Sequence, residues 1–408
     1  MQNIRLLIIL LSTFTVGLLS CVTKCEQTIY YNARIAVYES LSNIRNTVEF
    51  LPPQTITRVD QMAENSQAYF LLEKNKGVHI VRKTSSSALT KSGFIRADLC
   101  FEIANVGEYL VLFQANDVVT LDVKNSNTIQ VVSRLENIIN KSYVRNDSFV
   151  VGYDTAEVVR VIQDANCGNE YLNISEIETN EFNSFPHAAA SSLNSELYIC
   201  DNRNLIVVSA DSMTGLLSFR SNQSIAFTPL ENPHIAQNAN TIIVGKANSS
   251  LIPFSIASNP LSPVRSSFSV PGVFSCGKFY VINNHLFFPD FVENFDRNRC
   301  FPNGSMTIRN INGGGVFVNL APQFAESRHL SNEGNVALLS DGNAGFFLLN
   351  VATPQFFNLS TDVLGSFSQV HASIALMSSG RALIWGNDGL FLFDVSDPTN
   401  IIQLEKVE

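Results

Sequence analysis

Three carboxylates and two guanidiniums crowd into one short stretch. Asp290, Glu293, Asp296, Arg297 and Arg299 lie in the segment FPDFVENFDRNRC that ends at Cys300. Asp290, Glu293 and Asp296 offer the hard oxygen donors that Ca²⁺ prefers. The same three can instead pair with Arg297 and Arg299 on a solvated loop. Long loops on rigid scaffolds are also where binding concentrates, so these five residues are the candidate binding loop. No other local pattern carries chemistry. HExxH, GxSxG, GxGxxG, the P-loop and the EF-hand loop are all missing from the chain. The six histidines, His79, His187, His234, His285, His329 and His371, are scattered, and none pairs with another at helix or strand spacing. No CxxC spacing exists, so zinc and redox motifs have no support. No catalytic residue, no metal ligand set and no cofactor beyond that Ca²⁺ option is assigned.

The cysteines speak of compartment. The chain has 408 residues and seven cysteines. Residues 1–21 read MQNIRLLIILLSTFTVGLLSC, one cation followed by an apolar run from Leu6 to Leu19. Such a run is too short for a bilayer span, which needs about 20 residues, and suits the core of a signal peptide. Its end, Leu18-Leu19-Ser20-Cys21, resembles a bacterial lipobox, which implies cleavage before Cys21 and acylation of its thiol and new amine. The chain then divides into a signal peptide (1–20), a lipidated arm (21–60) and a repeat body (61–408). Six cysteines remain, and an even number permits disulfides in an oxidising compartment. Cys276 and Cys300 flank the charged segment and are the first candidate pair. Cys100 and Cys200 lie in apolar runs and read as buried free thiols.

Charge limits the partners. The formal net charge of −9 becomes −10 once the leader and its Arg5 are gone. Nucleic acid and anionic lipid both attract Lys and Arg, so neither fits a chain this acidic. Charged residues make up only 15% against 45% hydrophobic, which excludes wholesale disorder.

A repeating element must position whatever chemistry exists. A short apolar strand, a tight polar turn and a second apolar strand recur at 68–81, 109–123, 149–162, 196–209, 241–256, 336–351 and 382–395. A less regular copy spans 278–319, split by an apparent loop at 290–304. Val, Ile, Phe and Tyr fill the runs, and Lys76-Gly77, Gly342-Asn343-Ala344-Gly345 and Asn387-Asp388-Gly389 supply turn residues. One hairpin per ~40 residues leaves room for two more strands, which is the length of a propeller blade. An all-β propeller follows, with eight blades by direct count and seven if the irregular copy is an insertion. Ahead of it, Glu39–Val48 places Leu41, Ile44 and Val48 on one helical face with Ser40 as cap. The chain ends soon after the last hairpin, so a segment near Gln54–Val59 is expected to supply a closing strand.

The last repeat, Gly389–Asn400 (GLFLFDVSDPTN), resembles the LVIVD repeat with its D-V-S-D-P-x-N tail. The stretch Tyr38–Val81 is similar to the N-terminal region of Bacteroidota lipoproteins that carry this repeat, through Arg45-Asn46, Pro52-Pro53 and Glu73–Ile80. The resemblance implies an outer-membrane lipoprotein, on the periplasmic or cell-surface face, with no defined activity. The leading expectation is a non-enzymatic propeller that is held to the membrane by its lipid and binds an envelope protein or glycan. A glycan-active hydrolase or lyase working at the channel, and a Ca²⁺-stabilised structural component, are the alternatives.

Overall fold

The computed structural model describes residues 26–124, 128–139, 148–163, 189–193, 195–201, 204–225, 234–245, 251–266, 279–294, 299–311, 318–320, 324–326 and 328–407. These fall into two compact units. The smaller contains residues 1–38 and 150–184. Its described part is a two-stranded ribbon of Glu26–Ser40 and Ser148–Gln163. The arm is therefore extended, as the sequence suggests. The expected hairpin at 149–162 is instead one unbroken strand. Gly152-Tyr153-Asp154-Thr155 lacks the Asn-Gly or Asp-Gly pair that forces a tight reversal, so the flanking β-branched runs continue as one.

The larger unit, residues 39–149 and 185–408, is a β-propeller of seven sheets among the described residues. Blades 1 to 7 span 49–96, 100–135, 189–224, 234–265, 280–320, 329–367 and 374–407. In each, four antiparallel strands, here A to D, run in sequence order from the axis outward. The A strands of neighbouring blades touch from blade 1 to blade 5 and from blade 6 through blade 7 to blade 1. Loss of the 149–162 hairpin brings the count of eight to seven. The irregular copy is a true blade, the fifth.

Strand periodicity explains the packing. Ala68–Glu73 and Tyr109–Gln114 are buried along their whole length because blades cover both faces. Alternate residues then serve opposite interfaces. Phe70 and Leu72 join Leu110 and Leu112 between blades 1 and 2, whereas Val111 and Phe113 join Leu197 and Ile199 between blades 2 and 3. Each of the seven blade-to-blade seams holds one such apolar cluster.

The ring closes without an exchanged strand. Blade 7 completes itself with Ile402–Val407, and Glu49–Leu51 adds a fifth, outer strand to blade 1. Gln54–Val59 forms no strand, contrary to the sequence expectation. Pro52-Pro53 lies at its start, and the chain instead packs Ile56 and Val59 into the closing cluster. There Tyr69, Leu71 and Val81 of blade 1 meet Ile374, Leu383 and Leu390 of blade 7. Leu89 N–H also donates to the Glu405 carboxylate, and Arg381 Nε donates to Ser86 O at 3.2 Å.

The predicted helix is present as Leu41–Arg45, with Ser40 Oγ accepting from Asn43 N–H at 3.2 Å and Leu41 and Ile44 buried. The D-V-S-D-P tail forms the turn that its residues imply. Asp394 Oδ1 accepts from Ser396 N–H and Oγ–H at 3.0 and 2.6 Å, and Asp397 Oδ1 accepts from Thr399 N–H at 3.0 Å. Asp122 and Asn350 hold the corresponding turns of blades 2 and 6, each accepting from the amide two residues on.

Candidate functional site

Most ionisable groups near the B–C turns bind the chain to itself. Asp117, wholly buried, accepts from Arg45 Nε at 2.7 Å, from Arg134 Nη1 at 2.9 Å and from Asn137 N–H at 2.9 Å. This fastens the short helix onto blade 2. Burial alone would raise the carboxyl's pKa, but the hydrogen bonds from Arg45, Asn137 and Arg134 outweigh it and hold it below the ordinary value. Asp341 of blade 6 accepts from Ala325 and Glu326 N–H at 2.8 and 2.6 Å. Asp201 of blade 3 accepts from Asn204 N–H at 2.6 Å. In blade 1, His79 packs at a tilt against Phe94 and lies 3.2 Å from Glu73 Oε2. Burial pushes the imidazole below its ordinary range against the pull of Glu73. For Glu73 the upward push of burial is outweighed by hydrogen bonds from Lys76, Thr57 and His79. The pair stands as carboxylate and neutral imidazole near pH 7. These are braces between turns, and no three of their carboxylates, imidazoles or thiols gather as a metal site among the described residues.

The charged segment forms more strand than loop. Strands B and C of blade 5, His285–Asn294 and Arg299–Asn310, continue as a long hairpin with Glu293 opposite Cys300 and Asn294 opposite Arg299. A bulge between Pro289 and Phe291 sets its start, at the residue that cannot donate to the ladder. Glu293 and Arg299 thus lie on paired backbone and Asp290 lies in the bulge, while Asp296 and Arg297 fall outside the described residues. Cys21, the whole of 1–20 and Cys276 also fall outside them.

Cys100 and Cys200 are free and buried. Burial pushes the Cys100 thiol up to about 12 and the Cys200 thiol well above its ordinary value. Neither is a thiolate at neutral pH, so both should resist a maleimide in the native protein and react only once it unfolds. Mass-spectrometric mapping of labelled peptides checks this.

The opposite face holds a site that sequence patterns did not flag. Blades 4, 5 and 6 bring their A–B turns together around an open depression of about 450 Å³. Six amide side chains line it: Gln237, Asn238, Asn240, Asn283, Asn284 and Asn332. Val281 and Ile282 lie beneath it, buried in the seams on either side of blade 5, and Ala239 and Gly334 keep the rim low. Turn chemistry explains much of this. Asn283 and Asn284 both adopt positive φ, 47° and 60°, as the two centres of a type I′ hairpin require, and Asn tolerates that region. Asn238 Oδ1 accepts from Asn240 and Thr241 N–H at 2.9 and 2.8 Å, shaping the neighbouring turn.

The amides also tie the blades to one another. Asn238 Nδ2 donates to Asn284 Oδ1 at 2.9 Å between blades 4 and 5. Asn283 Nδ2 donates to Asn335 Oδ1 at 3.1 Å and to Val351 O at 2.8 Å between blades 5 and 6. Gln237 Nε2 donates to Ser192 O, while its Oε1 is buried with no donor among the described residues. The only signal in the sequence is the Asn-Asn pair between the runs Tyr280–Ile282 and His285–Phe288, which reads as a turn and not as a site.

No protein-family model matches the chain, the LVIVD repeat included, and no curated protein matches it in sequence. Solved structures match it in fold. The computationally designed Ika8 protein aligns with TM-score 0.50 at 10% identity over 87% of this chain and 88% of its own. PorZ of Porphyromonas gingivalis, a bacterial surface component of the type-IX secretion system, aligns at 0.49 with 12% identity over 87% of this chain. This chain covers only 39% of PorZ. BamB from Moraxella catarrhalis aligns at 0.41 with 10% identity. At such identities the likeness is one of fold, a β-propeller.

Proposed function

We propose that this chain is a non-catalytic, lipid-anchored envelope protein of the LVIVD-repeat kind, whose propeller holds an envelope protein or glycan in the amide-lined depression. One observation carries the binding reading: none of the residues lining the depression ionises. General acid–base work needs a group that gains and loses a proton near neutral pH, and glycoside hydrolysis usually needs two carboxylates across the bond. Amides offer neither, but they position hydrogen bonds well. The leader and Cys21 support the anchor and the envelope location.

Capture from the native cells tests this. The membrane-anchored chain, mildly cross-linked and purified, should bring down a reproducible envelope component that a lipoprotein control does not. Ala239→Trp, which fills the depression from an exposed turn, should abolish it. Exchange of 290–299 for a Gly/Ser loop tests the blade 5 hairpin in the same assay. Cys21→Ser should release the protein from the membrane fraction. A partner retained by Ala239→Trp would exclude the depression as its site.

A further inference from the structure

The lining of the depression narrows what can fill it. Each amide presents both donors and an acceptor, and so does every sugar hydroxyl in its own way. The side chains of Asn240 and Asn332 are exposed and have no protein partner among the described residues. A ligand rich in hydroxyls can satisfy both, because one hydroxyl both gives and receives. No charge in the lining would attract a phosphate, a uronic acid or a basic peptide. An extended peptide would ask for an open strand edge or a charged anchor, and the site is built from turns. The volume of about 450 Å³ falls in the range of small-ligand sites, about 300–1,000 Å³, and the opening to solvent suits a stretch of a longer polymer.

We infer that the depression between the A–B turns of blades 4, 5 and 6 binds a neutral, hydroxyl-rich glycan. This rests on the binding reading above and names its ligand class. The amides that cross from blade to blade fix the lining before the ligand arrives, so little ordering is lost on binding.

The test is calorimetric titration of the full mature chain with neutral oligosaccharides (gluco-, manno- and chito-hexaoses) and with acidic ones of similar length (oligogalacturonate, heparin hexamers). At least one neutral member should bind saturably. Its Kd should stay constant from 50 to 500 mM NaCl, because no ion pair forms to be screened. Ala239→Trp should weaken it at least tenfold. Asn332→Ala, at an exposed position that leaves the fold intact, should weaken it about fivefold through one lost hydrogen bond. Binding by acidic members alone, by no neutral member, or without any response to both substitutions would overturn the glycan assignment. Loss of the cell-derived partner in Ala239→Trp would then show that the binding reading survives with another ligand. Retention of that partner would remove both.

Discussion

Asp117→Ala should lower the free energy of unfolding by about 3 kcal/mol. The carboxylate is wholly buried and holds two guanidiniums, whose side chains are 21% and 14% exposed. Removing it leaves Arg45 and Arg134 without the charge that offsets their desolvation. Breaking a buried pair costs about 3–5 kcal/mol, and the residual exposure of both arginines sets the loss at the low end. Arg45 also meets Glu136 at 2.8 Å, but that carboxylate is 53% exposed, so Glu136→Gln should cost less than about 1 kcal/mol. The contrast between two acids on one arginine separates burial from mere pairing. The pH dependence has a definite sign. The folded pKa of Asp117 lies below its unfolded value, so its stabilisation is complete above the unfolded value. It is lost as pH falls through the folded one. Urea melts at pH 7 and below pH 4 should show this acid-side loss in the native chain and a smaller one in Asp117→Asn.

Leu383→Ala should cost about 3 kcal/mol, within the 2–5 kcal/mol of buried Leu truncations. Leu383 is fully buried in the seam where blade 7 meets blade 1, in the same apolar cluster as Leu71. Among the described residues no strand crosses this seam, and side-chain packing with two hydrogen bonds holds blade 7 to blade 1. Leu71→Ala should cost a similar amount, and the double substitution should fall short of the sum by about 1 kcal/mol, as residues that share one cluster couple. Leu383→Ala should also expose Ile402–Val407 to protease earlier than Leu112→Ala, a truncation of like size in the seam between blades 1 and 2. Equal protease sensitivity in both variants would show that the closing seam is no weaker than the rest.

Much of this fold was legible before any coordinates. The hairpins at 68–81, 109–123 and 382–395 stand where their apolar runs and turns placed them, because strand period and turn chemistry are local. The glycines at 342 and 345 adopt positive φ, 54° and 84°. Ser40 capped a helix that one turn of sequence could announce. The failures were non-local. Whether 149–162 reverses or runs on depends on a partner strand more than a hundred residues away, and no pattern within it reports that partner. The closing strand was expected because the last hairpin left its blade short of strands, yet Ile402–Val407 completes blade 7. The candidate site divided the same way. Charge clustering drew attention to Asp290–Arg299, of which residues 290–294 and 299 belong to the strands of the long blade 5 hairpin. Asn238, Asn284 and Asn332 sit in three separate turns, each ordinary by itself, and only the ring brings them together.

Photo-cross-linking in living cells tests the central claim most directly. A benzophenone amino acid placed at position 239, on the rim of the depression, should form a discrete adduct with one envelope component. The same group at position 388, in the B–C turn of blade 7, should not. Adducts from position 388 alone, or none from 239 above an unrelated lipoprotein, would contradict the assignment of the amide-lined depression as the binding surface.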